Sequence, residues 1–234
     1  MIKSTHINKY FLSLSSLGEV CKEKMKKILY IALFSIVLTG CYSASRIVKK
    51  DFPEISRDER LLVAVVDFTN STGDESNDAF VQGIYGKMVN ALSETQRFRL
   101  IERQKLEDVL SELKLQMTGL TDSSTAQEVG RLLGVDGLIF GELPMIKYER
   151  SKQSIFIMWA ESKKIEVSLQ ARLVDVETGE VRASANTSAF VKQRTWVAFW
   201  VARLGSKMDK NSLIEKGLEL VCTKAAQDLA ERAY

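Results

Sequence analysis

LLVAVVDF, residues 61–68, decides how this chain folds. A continuous apolar run of that length, rich in β-branched residues, makes a strand covered on both faces. A strand with one wet face would alternate apolar and polar residues instead. Downstream, TNSTGDESND (69–78) is rich in turn formers. Residues 77–94 then carry Phe80, Ile84, Met88, Ala91 and Leu92 at helical spacing. FRLIER (98–103) predicts a short strand running into a helix over 104–115, with Leu106, Val109, Leu110 and Leu113 on one face. Ser124 and Gln127 have the spacing of a capping box, opening a helix that stops at Gly134. VDGLIFGEL (135–143) is the next buried strand. Strand and helix therefore alternate through the first half, which points to a layered α/β sheet domain.

The second half has a different period. In IEVSLQARLVDVETGEVRASANTSAFV (165–191), Ile165, Val167, Leu169 and Ala171 point one way, and Lys164, Glu166, Ser168 and Gln170 the other. With a turn at Glu177-Thr178-Gly179-Glu180, this predicts an antiparallel hairpin with one wet face. A last helix over about 210–232 places Leu213, Gly217, Leu220, Val221, Ala225 and Leu229 on one stripe. The fold class is α/β in the α+β sense: a mixed sheet flanked by helices, with an antiparallel hairpin in the C-terminal half.

The short motifs have ordinary structural readings. GIYG (83–86) and GLIFG (137–141) lack a following Gly-Lys-Ser/Thr and form no phosphate loop, so close packing explains their glycines. Ser71-Thr72-Gly73-Asp74 reads as a β-turn, since Asp74, Glu75 and Asp78 would repel a bound anion. Glu102 and Arg103 read as a structural charge pair or a helix-start contact.

Residues 25–41, MKKILYIALFSIVLTGC, say where the protein is held. Lys26 and Lys27 precede an apolar run of eleven residues, Ile28 to Leu38. That run is too short for a permanent span, which takes about 20 residues, and fits a secretory signal. Its ending, Leu38-Thr39-Gly40-Cys41, resembles the lipobox of bacterial lipoproteins. The resemblance implies cleavage between Gly40 and Cys41, acylation of Cys41, and stable anchoring through several acyl chains. It implies no other cofactor. Tyr42 after the cysteine implies outer-membrane sorting. The polar, Ser-rich 24 residues before Met25 have no defensible apolar face, so Met25 reads as the true start. The expected organisation is an extension and signal peptide (1–40), a lipid-anchored tether (41–60) and a periplasm-facing domain (61–234).

Without residues 1–40 the chain carries 27 Lys and Arg against 28 Asp and Glu. No global basic field remains to attract nucleic acid. The single histidine, His6, goes with the leader, removing His-based acid–base and metal chemistry. Cys222 is then the one thiol left beside Cys41, and its apolar helical setting makes it a buried structural residue. No catalytic set and no metal site are expected.

IFIMWA (155–160) and TWVAFWVARL (195–204) hold Trp159, Trp196, Phe199 and Trp200, flanked by Lys and Arg. Rings beside cations suit a membrane interface, and equally an aromatic core or a subunit contact. IFIMWA does not alternate, and TWVAFWVA is apolar at successive positions, unlike a porin strand.

VAVVDFTNSTGD (63–74), RFRLIERQKLEDVLSELKLQMTGLTD (97–122), AQEVGRLLGVDGLIFGELPMIKYE (126–149) and VSLQARLVDVETGEVRASANTS (167–188) occur in an order that resembles the curli-secretion lipoprotein (CsgG/HfaB) family. The resemblance implies an outer-membrane lipoprotein with a periplasmic α/β domain, non-enzymatic, self-associating, and engaging protein partners or secreted protein cargo. In the curli exporter two β-hairpins per subunit close a barrel. Here residues 150–165 contain no glycine and are too short for two full spans, so the resemblance extends to the domain and not to the pore. The family also resembles periplasmic lipoproteins that activate cell-wall synthases, which leaves a scaffold reading open.

Overall fold

A computed structural model describes residues 26–28, 42–48, 50–113, 123–155, 158–198, 202–204 and 208–234. In chain order the elements are β1 (Tyr42–Ala44), β2 (Leu61–Val65), β3 (Thr69–Asn70), α1 (Asp78–Thr95), β4 (Phe98–Leu100), α2 (Arg103–Glu112), α3 (Ser123–Leu133), β5 (Gly137–Ile155), β6 (Met158–Asp175), β7 (Val181–Ala198), β8 (Ala202–Leu204) and α4 (Lys210–Ala233). One mixed sheet of eight strands has the order β1-β7-β6-β5-β2-β4, with β3 added to β5 and β8 to β7. β2 lies parallel to β4 and β5. β5, β6 and β7 form an antiparallel meander.

The apolar run at 61–68 sits where it must. Val63 and Val65 face one core, and Ala64 and Val66 the other, all buried. The first core lies beneath α1 and α4, which bring Ile84, Met88, Leu92, Leu213, Leu218, Val221 and Leu229 against Ile139, Ile165, Val167 and Leu169. The second lies beneath α2 and α3, with Leu106, Leu110, Val129 and Leu133 over Leu138, Phe140 and Val174. α3 ends at Gly134, whose φ of +67° suits glycine after a helix terminus. Gly179, at φ +75°, serves the β6–β7 turn in the same way.

The hairpin of the second half forms with its predicted faces: Ile165, Val167, Leu169 and Ala171 are buried, and Gln170 is exposed. Several local readings change. The strand expected at 135–143 continues to Ile155, past an irregularity at Glu142–Met145 that contains Pro144. Gly137 and Gly141 are closely packed as expected, but Gly86 has open space around its α-carbon and Gly83 has only the end of Lys87 nearby. α3 begins at Ser123, so Ser124 lies inside the helix rather than at a cap. Glu102 and Arg103 stand at the start of α2, and Arg103 pairs with Asp67 and Glu107 rather than with Glu102.

The segment read as a tether is laid on the domain. β1 adds antiparallel to β7, with Tyr42 opposite Gln193 and Ala44 opposite Val191. Lys50 bridges to Asp228 at 3.2 Å and to Glu231 at 2.5 Å on α4, and Phe52 packs against the first core.

Candidate interaction surface

The helices cover only part of the long strands. Lys210, at the start of α4, stands 5.8 Å from the Tyr148 ring, on the rung Tyr148–Ile165–Val191. Past that rung β5 runs on to Ile155, β6 begins at Met158, and β7 runs on to Ala198. Seven residues per strand, at about 3.3 Å each, carry the sheet roughly 23 Å further. Among the described residues no helix packs on this blade. Its strand order is β8-β7-β6-β5, so Met158–Ala160 and Trp196–Ala198 are adjacent stretches of one sheet. Trp159 stands opposite Val197, Ala160 opposite Trp196, and Trp196 opposite Leu204.

Both faces of the blade are charged. Arg150, Lys152, Glu161 and Lys163 alternate onto one face, with Arg150 opposite Lys163 and Lys152 opposite Glu161. The other face takes the row Glu149–Lys164–Lys192, with Arg194 two rungs on. Each carboxylate has a basic partner: Lys147–Glu149 at 2.8 Å, Arg150–Glu161 at 2.6 Å and Lys164–Glu166 at 3.1 Å. Burial would raise the Glu161 carboxyl, yet the hydrogen bond from Arg150 and the charges of Arg150, Lys163 and Lys152 hold it below its ordinary value. At the base of the blade, Lys163 donates to the Met208 carbonyl at 3.3 Å. Met208 N–H donates to Gln193 Oε1 at 3.2 Å, and Gln193 is buried.

A second feature lies on the sheet face that α2 and α3 leave open. A cavity of about 500 Å3 is lined by Asp67, Thr69, Glu142, Gln170, Arg172 and Asn186, with Arg232 reaching in from α4. Its acids are already engaged. Asp67 takes a two-pronged contact from Arg103, both arms 2.8 Å, and Glu142 accepts from Ser71 Oγ at 2.7 Å. Arg103 also bonds Glu107 at 2.6 Å and lies 4.9 Å from the Tyr85 ring centre; burial raises the Tyr85 hydroxyl above its ordinary value. This is an arrangement for holding β2, α1 and α2 in register more than for moving protons. Cys222 is buried, its thiol pushed up to about 12 by desolvation.

Of the residues singled out from sequence, Trp159 is half-buried in β6. Trp196 belongs to β7, with its side chain outside the described residues, as are Gly40, Cys41, Phe199 and Trp200. Sequence reasoning passed over Phe190, which is 39% exposed and 5.8 Å from Lys164 Nζ. It also read the blade's lysines and arginines as flanks of the tryptophans rather than as a surface. The pairing of three strands is what gathers them. Among the described residues no group of His, Cys, Asp and Glu is set to hold a metal, and no helix is long and apolar enough to cross a membrane.

Residues 53–232 match the family described as the curli production assembly/transport component CsgG. No curated protein matches the chain. Similar solved structures include the lipoprotein GNA1162 of Neisseria meningitidis, 16% identical, TM-score 0.43, covering 69% of this chain and 95% of that one. The LpoB C-terminal domain of Salmonella enterica is 21% identical, TM-score 0.38, covering 55% and 81%. A PelC dodecamer of Paraburkholderia phytofirmans is 14% identical, TM-score 0.35, covering 82% and 99%.

Proposed function

The chain belongs to the family of the curli production assembly/transport component CsgG, and from that premise we propose that it is an outer-membrane lipoprotein of a secretion or envelope-assembly system. It faces the periplasm, is held by acyl chains on Cys41, and works by binding protein partners or cargo and by self-association. In this reading residues 1–40 are lost with the signal, whose functional start is Met25. Residues 41–60 lead from lipid to domain, and residues 61–234 are the working domain. It needs no cofactor beyond the lipid on Cys41, binds no nucleic acid and catalyses no reaction. The groove supports the last point, because Asp67 and Glu142 are spent on Arg103 and Ser71.

The observation that carries the reading is the blade with charge on both faces. A hairpin that spans a bilayer needs one apolar face about 9–11 residues long, and a Lys or Arg on a lipid face near the midplane costs about 2–4 kcal/mol. Arg150, Lys152 and Lys163 occupy one face, and Lys164, Lys192 and Arg194 the other. Neither face suits hydrocarbon, which favours assembly and binding without a wide constitutive pore. Self-association is supported by the blade's edges: β3 pairs with β5 only at Glu142 and Leu143, and beyond that point β5 has no further partner on that side among the described residues. Open edges of long strands recruit other strands.

Planar-bilayer recording of the purified lipoprotein, with native mass measurement in detergent, tests this. The expected result is a defined oligomer without steady conductance. Large, stable single-channel steps from a ring would overturn the non-pore reading, and a monomer without conductance would leave the scaffold reading alone.

A further inference from the structure

We infer that the blade is a docking surface for anionic phospholipid headgroups, laid flat against the leaflet that holds the Cys41 anchor. The inference rests on the lipoprotein reading for the bilayer and adds to it a second, electrostatic contact.

Charge is the first ground. Residues 147–166 and 190–204 carry eight Lys and Arg against three Asp and Glu, all three of the latter ion-paired. The rest of the chain from Cys41 on carries 19 basic against 25 acidic residues. A molecule that is nearly neutral overall is thus sharply divided, with its excess positive charge on one thin projection. An anionic leaflet attracts each basic residue near it by about fivefold in binding. Tryptophan, found in this chain at 159, 196 and 200 alone, falls entirely within the same two segments, as headgroup-level rings do.

Direction is the second ground. β7 runs from Val181 toward the blade tip, and β1 is antiparallel to it, with Ala44 opposite Val191 and Tyr42 opposite Gln193. Followed back toward its N-terminus, β1 therefore runs toward the blade. The residue before Tyr42 in the sequence is Cys41. The strand ladder sets Tyr42, next to the anchor in sequence, opposite Gln193 in the basic blade. One lipid signal and one basic patch together make firm, oriented attachment. Charges on both faces, which disfavour insertion, are compatible with lying among headgroups.

Because all three tryptophans fall within residues 147–166 and 190–204, tryptophan fluorescence, excited apart from tyrosine, reports on these two segments. Mature, acylated protein is reconstituted on vesicles of phosphatidylcholine, with and without phosphatidylglycerol. Quenching by acrylamide is read at about 0.1 M and about 1 M salt, where the screening length falls from about 10 Å to about 3 Å. Docking predicts a several-fold drop in quenching on the anionic vesicles at low salt, lost at high salt. The drop is also lost in Lys152→Glu/Lys192→Glu and kept in Lys224→Glu, a matched charge change on α4. Equal quenching on both vesicle types overturns the inference and assigns the surface to an acidic protein segment instead. Protein that leaves phosphatidylcholine vesicles altogether overturns the anchor reading, separately from the blade.

Discussion

Replacing Gly141 by alanine tests the packing that joins the β2 end of the sheet to the long hairpin. Gly141 stands opposite Ala171, and an added Cβ would lie 1.9 Å from Phe68 Cε1, 2.4 Å from Cδ1 and 2.5 Å from the Gln170 carbonyl oxygen. Carbon atoms are comfortable about 3.5–4.0 Å apart, so the ring must retreat by roughly 1.5 Å. Phe68 is only 6% exposed and belongs to the first core, so its ring has little room to move. The Gln170 oxygen belongs to β6, the central strand of the meander, and that strand is held by ladders on both sides. Overpacking costs about 1–3 kcal/mol, and expelling the ring entirely would cost about 3–5 kcal/mol. The expected loss is about 3 kcal/mol. For a domain of this size that lowers Tm by about 6–12 °C. Gly86→Ala is the built-in contrast: it changes an exposed mid-helix glycine with nothing within 4 Å, and should gain about 0.5–1 kcal/mol. Circular-dichroism melting of both variants beside the parent makes the measurement. If Gly141→Ala melts within about 1 °C of the parent, the seating of Phe68 on β5 is wrong.

Ile139→Asp should abolish cooperative melting, because Ile139 is fully buried and an unpaired charge there costs several kcal/mol, comparable with the whole stability of a domain; melting near the parent temperature would refute the two-sided burial of β5. Cys222 should resist a disulfide-exchange reagent in the native protein and react at once in urea, since its thiol is pushed up to about 12 from the ordinary 9.0. The sign for stability follows: the folded state keeps the proton longer than the unfolded one, so this contribution is intact below about pH 9 and drains away as pH rises toward about 12. Cys41→Ala should remove acylation and leave the precursor uncleaved; continued incorporation of labelled palmitate would exclude Cys41 as the lipid site.

What could be read in the sequence depended on whether the signal was local. Residues 61–68 and 135–143 announced doubly covered strands because one strand alone shows whether apolar residues run on or alternate, and the cores above and below Val63–Val66 follow from that. The C-terminal stripe Leu213–Leu229 is equally local, and α4 buries it, with Leu220 only partly covered. Arg103 was different. Its nearest charge in sequence is Glu102, but Asp67, 36 residues away, presents both carboxylate oxygens at the head of the parallel β2–β4 pair. A guanidinium takes a two-pronged carboxylate over an adjacent one whose backbone points elsewhere. No spacing rule contains that choice.

The blade was hidden for a related reason. Taken singly, IFIMWA and TWVAFWVARL are aromatic segments of uncertain facing, because a strand's two faces acquire meaning only from the strands beside it. The sheet makes them neighbours, with Ala160 set against Trp196 and Trp159 against Val197. Below them it stacks Glu149, Lys164 and Lys192 in one row and sets Arg150 beside Lys163. Net charge misleads here in the same way. A chain with 27 basic and 28 acidic residues from Cys41 onward has no overall field, and that excludes global attraction to a polyanion. It does not exclude a divided molecule, because salt screens charges beyond about 10 Å and a surface therefore responds to what stands nearest to it. The blade segments hold an excess of five positive charges on a projection some 23 Å long, apart from most of the acidic body. Such a molecule would be steered to an anionic surface by one end, with its groove and its free β5 edge left available to other proteins.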